Sequence, residues 1–200
     1  METSCRPTWA GPKPACPPES EDRLSYLVHI NGHPGVGKLT VAELLRHRLG
    51  GRLLDNHSVY NVALSLTEFK SDVYFETIRA VREIAYNRIL ELPKDVPIIL
   101  TNAHFQGSDW GNESWDRAIA LAGVRCVPHL TVVLSCSMEE VERRIHGESR
   151  RGKRKPRSLD VFRPGSSLRL LIDRGDHVLR LETTELSAED TTERIARWID

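Results

Sequence analysis

The 200-residue chain has no apolar run that approaches the roughly 18 residues needed to cross a bilayer, so we expect no membrane partner. Its first residues also lack the apolar core of a secretory signal. Lysine and arginine total 28 and aspartate and glutamate total 28, and this balance argues against a wholly basic nucleic-acid binder. The four cysteines form no C-x-x-C pair, which disfavours a zinc site and is typical of reduced thiols in a cytoplasmic protein.

The first 22 residues differ in composition from the rest. Five of the 11 prolines lie there, and the segment has no apolar periodicity. Such a stretch cannot bury enough surface to offset its loss of conformational entropy, so the sequence predicts a disordered, proline-rich tail over residues 1–22. A polyproline segment that docks on a partner is the alternative. We expect one domain, over residues 23–200, whose composition is 40% hydrophobic as in ordinary globular proteins.

From Tyr26 onward, short apolar runs alternate with stretches of helical spacing. The apolar runs predict strands at 26–30, 52–54, 96–101, 130–134 and 177–181. The periodic stretches predict helices at 41–49, 72–92, 113–122 and 168–172, and others that begin at Ser137 and Ser187. Strands that alternate with helices are typical of a parallel sheet with helices on both faces. The fold class predicted is therefore α/β, a three-layer, doubly wound domain with five parallel strands.

The clearest motif follows the first predicted strand. Residues 32–38 satisfy the pattern G-x-x-x-x-G-K, with a strand before them and an amphipathic helix after them. The glycines let backbone amides approach anionic oxygens at the positive end of the helix. The lysine adds a mobile positive charge for the β and γ oxygens of a nucleotide. The predicted nucleotide-binding residues are Gly32, His33, Pro34, Gly35, Val36, Gly37, Lys38, Leu39 and Thr40.

The hydroxyl that usually follows the lysine and reaches Mg²⁺ is displaced by one position. Leu39 follows Lys38 directly, and Thr40 comes next, so Thr40 is the candidate magnesium contact. The chain has no N-K-x-D motif of the kind by which Ras-like GTPases read the base. Neither the third nor the fourth predicted strand ends in an acidic residue, which weakens the case for a mechanical ATPase.

The loop resembles that of adenylate kinases, in which glycine, proline, lysine and threonine stand at the positions of Gly32, Pro34, Gly35, Gly37, Lys38 and Thr40. The order of elements over residues 26–199 resembles the small P-loop kinases, among them adenylate, shikimate and gluconate kinases and chloramphenicol-phosphotransferase-like proteins. Beyond the loop the match is one of layout. The resemblance implies ATP and Mg²⁺ as cosubstrates and transfer of the γ-phosphoryl group, through the catalytic Lys38, to a small-molecule acceptor.

An acidic residue follows the second predicted strand, where shikimate- and gluconate-kinase-like proteins carry paired acids. The sequence there is Asp55-Asn56-His57, so His57 replaces the second acid. The resemblance implies that Asp55 orients the acceptor hydroxyl or accepts its proton, since the ends of parallel strands frame the ligand crevice. The structural alternative is that Asp55 caps a helix that begins near Ser58.

Further candidate acceptor-binding residues are His57 and the two that follow the third strand, Asn102 and His104. Alternatively, all three are polar loop residues that do not bind the acceptor. Aromatic side chains within 56–75 and 102–112 could line the acceptor pocket, and the alternative for them is the core.

The chain has one strongly biased charge run. Its members are Arg143, Arg144, Arg150, Arg151, Lys153, Arg154, Lys155 and Arg157. In small P-loop kinases the lid lies here, so the resemblance implies a lid over about 147–166. It also implies that Arg144, at the end of the preceding helix, and Arg150, within the lid, are catalytic and spread the charge of the transferring phosphoryl group. A solvated loop and a nucleic-acid footprint are the alternatives. No aromatic residues interleave with the run, which disfavours stacking on single strands.

Three functions stay open at this point. The favoured one is an ATP-dependent kinase for a small hydroxyl-bearing molecule. The second is a nucleotide-binding regulatory protein without acceptor chemistry, and the third is a nucleic-acid end kinase that uses the basic run. Neither the acceptor nor the oligomeric state follows from the sequence.

Overall fold

The computed structural model describes residues 25–146 and 170–200. The strands, numbered in chain order, are β1 Leu27–Gly32, β2 Arg52–Leu54, β3 Ile98–Thr101, β4 His129–Ser135 and β5 His177–Glu182. The helices are α1 Lys38–Leu49, α2 Asn56–Leu66, α3 Asp72–Leu90, α4 Asp109–Arg125, α5 Met138–His146 and α6 Ala188–Ile199. No helix within the described ranges is long and apolar enough to cross a membrane.

The five strands form one sheet in the order β2-β3-β1-β4-β5, and every pair is parallel. The predicted fold class is therefore confirmed. The central strand β1 is buried along its whole length, as expected for a parallel strand covered on both faces. On one face, Val28 and Ile30 pack into an apolar cluster that includes α1 and α6 residues. On the other face, Leu27 joins a cluster that includes α3 and α4 residues.

One predicted helix is wrong, and one observed helix was foreseen only in part. Residues 168 and 169 of the helix predicted at 168–172 lie outside the described residues, and 170–172 are not helical. Leu171 pairs with Phe105 in an antiparallel bridge, and the amide of Ile172 donates to the carbonyl of His104 at 3.0 Å. The hydrogen bonds to Phe105 and His104, which are distant in the sequence, outweigh the local helical spacing of this segment. Helix α2 begins at Asn56, close to the start expected if Asp55 is a cap. The predicted tail at 1–22 and the predicted lid at 147–166 lie outside the described residues.

Candidate active site

The loop between β1 and α1 has the backbone geometry of a phosphate cradle. Gly35 and Gly37 have φ angles of 98° and 97°, in the left-handed region that favours glycine. A Cβ on Gly32 would lie 2.8 Å from the carbonyl oxygen of Leu134 and 2.8 Å from a methyl carbon of Val36. Gly37 caps α1 without a side-chain hydrogen bond, so within the described ranges no capping side chain uses the amides at the anion-attracting end of this helix.

Lys38, His33, Val36 and Thr40 differ in their settings within the loop. The ammonium of Lys38 donates to the carbonyls of Gly32 at 2.7 Å and His33 at 2.9 Å. Burial lowers the pKa of His33, and the charge of Lys38 lowers it further. Val36 is buried, and Thr40 is exposed in the first turn of α1. The cradle therefore combines a central cation with a helix terminus, a setting suited to polyphosphate.

Arg144, near the end of α5, is attached to the phosphate loop. Its Nη1 donates to the carbonyl of Val36 at 2.8 Å, and its Nη2 donates to the carbonyl of Thr183 at 2.6 Å. Its Nε donates to Glu140 at 2.5 Å, and hydrogen bonds from Arg143 and Arg144 lower the pKa of Glu140 to about 2. In this structure Arg144 thus holds the loop backbone. Arg150 lies outside the described residues.

Asp55 stands just after the carboxyl end of β2 and has two hydrogen-bond partners in the part of the chain that the structure describes. Its Oδ2 accepts a hydrogen bond from the amide of His57 at 3.2 Å, so Asp55 caps α2 as the structural alternative states. Its Oδ1 accepts from the hydroxyl of Thr101 at 2.7 Å, and that hydroxyl accepts from the amide of Asn56 at 3.1 Å. The carboxylate is therefore held between the ends of β2 and β3, where an acceptor hydroxyl could also approach it.

The three candidate acceptor-binding residues lie in different settings. His57 is half-buried in the first turn of α2. The side-chain Nδ2 of Asn102 lies 2.7 Å from Nε2 of His29, and both residues are buried. His104 is 5% exposed, and burial, followed by the charges of Arg82 and Lys38, lowers its pKa to about 3. Binding of the acceptor by these three residues stays a prediction.

Two buried polar residues of β1 organise the floor of the site and were missed by sequence reasoning. The side-chain amide of Asn31 donates to the carbonyls of His104 at 2.9 Å and Ile172 at 2.8 Å, and its oxygen accepts from the amide of His104 at 3.0 Å. His29 stacks on Trp115 with ring centroids 3.9 Å apart. A signal was available, because both are polar residues in an apolar strand.

Comparisons with known proteins bear on the fold of the chain. No family model matches the chain. A stretch of 59 residues is 41% identical to the cytidylate kinase of Shewanella denitrificans, and it covers 30% of this chain and 26% of that protein. The chain thus matches about a quarter of the length of that relative.

Solved structures align over much more of the chain. The APS kinase of Mycobacterium tuberculosis, in complex with AMPPNP and APS, is 15% identical with a TM-score of 0.57, over 88% of this chain and 97% of that one. Shikimate kinase from Acinetobacter baumannii, in complex with shikimate, is 18% identical with a TM-score of 0.53, over 88% and 93%. The tunicamycin resistance protein of Deinococcus radiodurans is 19% identical with a TM-score of 0.52, over 88% and 95%. The chain has the fold of the small P-loop kinases.

In this P-loop kinase fold, α2, α3 and α4 form a wall of aromatic and cationic side chains, and its aromatic members pack against the buried cluster that contains Tyr74 and Ile78. The indole N–H of Trp110 donates to the hydroxyl of Tyr60 at 2.7 Å. Phe75 packs on Trp110 with centroids 4.8 Å apart. The guanidinium groups of Arg79 and Arg82 lie 5.1 and 5.3 Å from the ring of Trp110. This wall combines apolar contact area with positive charge.

Proposed function

We propose that the chain is an ATP-dependent phosphotransferase that moves the γ-phosphoryl group of ATP to a hydroxyl group of a small molecule. The observation that supports this most is the pairing of the phosphate cradle with a carboxylate on the same edge of the sheet, where Asp55 is held by Thr101. Structural neighbours include an APS kinase and a shikimate kinase. The free thiols Cys126 and Cys136 suit the reducing cytoplasm, where we expect the protein to act.

The cradle residues bind the triphosphate of ATP in this proposal. Backbone amides within residues 32–40, other than that of Pro34, which has no N–H, donate to phosphate oxygens. Lys38 moves from the loop carbonyls to the β and γ oxygens. In the described ranges no group of three His, Cys, Asp or Glu side chains could hold a metal ion. Mg²⁺ fits nevertheless, since it needs only one or two protein oxygens besides phosphate and water, and Thr40 is the candidate. When bound, Mg²⁺ neutralises charge on the phosphoryl group.

The transfer step needs an oriented acceptor. Asp55 accepts a hydrogen bond from the acceptor hydroxyl and takes its proton as the oxygen bonds to the γ-phosphorus and the bond to ADP breaks. Arg144 acts as a positioning residue, because its donors hold the carbonyls of Val36 and Thr183. Arg150 is proposed to reach the transferring phosphoryl group.

The test is an acceptor screen with a variant of the loop lysine. Purified protein with ATP and Mg²⁺ is offered pools of metabolites, nucleosides and antibiotics, and the readouts are ADP formation and an acceptor that gains one phosphoryl group. Lys38→Met keeps the side-chain length but removes the charge, and we expect it to lower turnover by at least about a hundredfold. Lys94→Met, at an exposed lysine, is the control and should match the parent. ATP binding without any phosphorylated product would overturn the proposal and leave a nucleotide-binding regulator.

A further inference from the structure

One face of α3 carries a regular row of side chains that the rest of the described chain leaves largely uncovered. Its members follow one another at alternating spacings of four and three residues: Val73, Thr77, Ala80, Ile84 and Asn87. Val73 and Ile84 are 57% and 65% exposed, Ala80 and Asn87 are also exposed, and Thr77 is half-buried. Such a repeat is typical of a helix that packs along a second helix.

This row lies apart from both the core and the aromatic wall. Ile78 of α3 belongs to the buried cluster shared with α2, and the guanidinium of Arg79 lies 5.1 Å from the ring of Trp110. Since each residue turns an α-helix by about 100°, Ile84 lies about 120° around the helix from Ile78 and about 140° from Arg79. The row is therefore a separate face of α3, which the proposed phosphotransfer does not use.

The apolar surface continues into the turn that precedes α3. Phe69 is 65% exposed, and its ring lies 5.4 Å from that of Tyr74 in the first turn of the helix. Because Phe69 stands four residues before Val73, it continues the spacing of the row. Leu66, at the end of α2, is 75% exposed. Extended apolar surface of this kind is uncommon on a monomer and typically marks an interaction site.

The charges on the two flanks of the row favour a second copy of this chain as the partner. Glu83 lies on one flank and Arg88 on the other, and both are exposed. When two such helices pack side by side in the same direction, Glu83 of each copy faces Arg88 of the other. In the opposite direction, Glu83 would face the like charge of Glu76. Arg88 also pairs with Glu91 of its own helix, but such an exposed pair contributes little.

We propose that this row is the interface of a homodimer in which the α3 helices of two copies pack in parallel about a twofold axis. Val73 and Ile84 are then buried against their own counterparts. Asn87 also meets its counterpart, and its side-chain amide offers both a donor and an acceptor for that contact. A two-helix interface of this length buries on the order of 1,000 Å² in total, the lower end for specific complexes, so we expect a Kd in the micromolar range.

Sedimentation equilibrium of the full chain across the micromolar range tests the interface. Ile84→Lys places a charge in the row and should raise the dimer Kd at least about tenfold. Leu64→Lys is the matched control and should keep the parent Kd, because Leu64 is 48% exposed but lies about 160° around α2 from Leu66. Both substitutions change exposed positions, so both variants should fold.

A charge exchange tests the direction of packing. Glu83→Arg should raise the dimer Kd, because it sets two positive charges against each other. The double variant Glu83→Arg, Arg88→Glu should restore the affinity, since the pair forms again with its charges exchanged. A double variant that binds no better than Glu83→Arg alone would overturn the parallel arrangement.

Cross-linking identifies what covers the row. With a short bismaleimide, Val73→Cys should link two copies through the introduced thiols, a product that the parent with its native cysteines cannot form. A link from position 73 to Cys5 or Cys16 would show that the N-terminal residues occupy the row instead, and would overturn the proposal. The same holds for a parent chain that stays monomeric throughout, for Ile84→Lys with the parent Kd, or for a dimer without the link at position 73.

Discussion

Gly32 is the residue of the phosphate loop whose need for glycine follows directly from close contacts. A Cβ there would lie 2.8 Å from the backbone oxygen of Leu134, which cannot move without disturbing β4. We predict that Gly32→Ala lowers the free energy of unfolding by about 1–3 kcal/mol, as in other overpacked sites, and weakens ATP binding. Denaturant unfolding and calorimetry with ATP and Mg²⁺ measure the two effects.

The control for this substitution is Gly123 in α4. A Cβ there meets no atom within 4 Å, and the position is helical. Gly123→Ala should therefore raise the free energy of unfolding, by up to about 1 kcal/mol, and leave ATP binding unchanged. Equal effects of the two substitutions would show that the tight contact at Gly32 has no special importance.

Asp55 has two separable roles, a helix cap and a proposed proton acceptor. Asn is also a good N-cap, so Asp55→Asn should keep stability near that of the parent while kcat for the acceptor falls about 10²–10⁴-fold. Asp55→Ala should lose the cap as well and cost about 1 kcal/mol in unfolding free energy. If Asp55→Asn retains full turnover, the residue is a cap and the acceptor hydroxyl has another partner.

At the scale of elements, α5 is coupled to the phosphate loop through one side chain. Arg144 joins Glu140, Val36 and Thr183, whereas Arg143 hydrogen-bonds to the same Glu140 and is exposed. We predict that Arg144→Ala raises the Kd for ATP by about tenfold, because the loop backbone loses its support.

Arg143→Ala provides the comparison for this prediction. It removes a neighbouring charge on the same helix without touching the loop, so calorimetry should give the parent Kd. An equal loss of affinity in both variants would mean that general positive charge, and not the hydrogen bonds of Arg144, matters for nucleotide binding.

At the scale of the whole molecule, a buried histidine cluster links β1, β4 and the loop after β3. Nδ1 of His29 lies 3.2 Å from Nε2 of His129, and burial lowers the pKa of His129 to about 4 and that of His104 to about 3. An unfolded histidine binds a proton below about pH 6.5, whereas these two stay neutral when folded. The contribution of these two histidines to the free energy of unfolding is therefore fully present above pH 6.5 and is lost as the pH falls toward 4.

We predict a loss of about 2 kcal/mol for each of these two histidines between pH 7 and pH 5. Urea unfolding at a series of pH values measures it. His129→Gln should flatten the dependence over this range. His177→Gln, at an exposed position on β5, should leave it as in the parent. A dependence that both variants share with the parent would exclude the cluster as its source.

Much of the architecture could be predicted from the sequence, because it depends on the local pattern of apolar residues and glycines. Short apolar runs predicted the five parallel strands, and the glycine pattern at 32–38 predicted the loop between β1 and α1. The segment 170–172 was predicted wrongly as a helix, since its pairing with Phe105 joins residues 66 positions apart in the chain. The candidate site was predictable in part: the cradle and Asp55 follow from motif and position, while Asn31 and His29 were missed.

The sequence by itself determined the phosphate loop and the order of strands and helices, because backbone conformation and amphipathic spacing depend on near neighbours. Only the tertiary structure decided which polar side chains satisfy one another. It placed Asn102 beside His29, hydrogen-bonded Asp55 to Thr101, joined Arg144 to the loop, and paired Arg82 with Ser114. Such pairings depend on distances between residues far apart in the chain, and local sequence carries no measure of those distances.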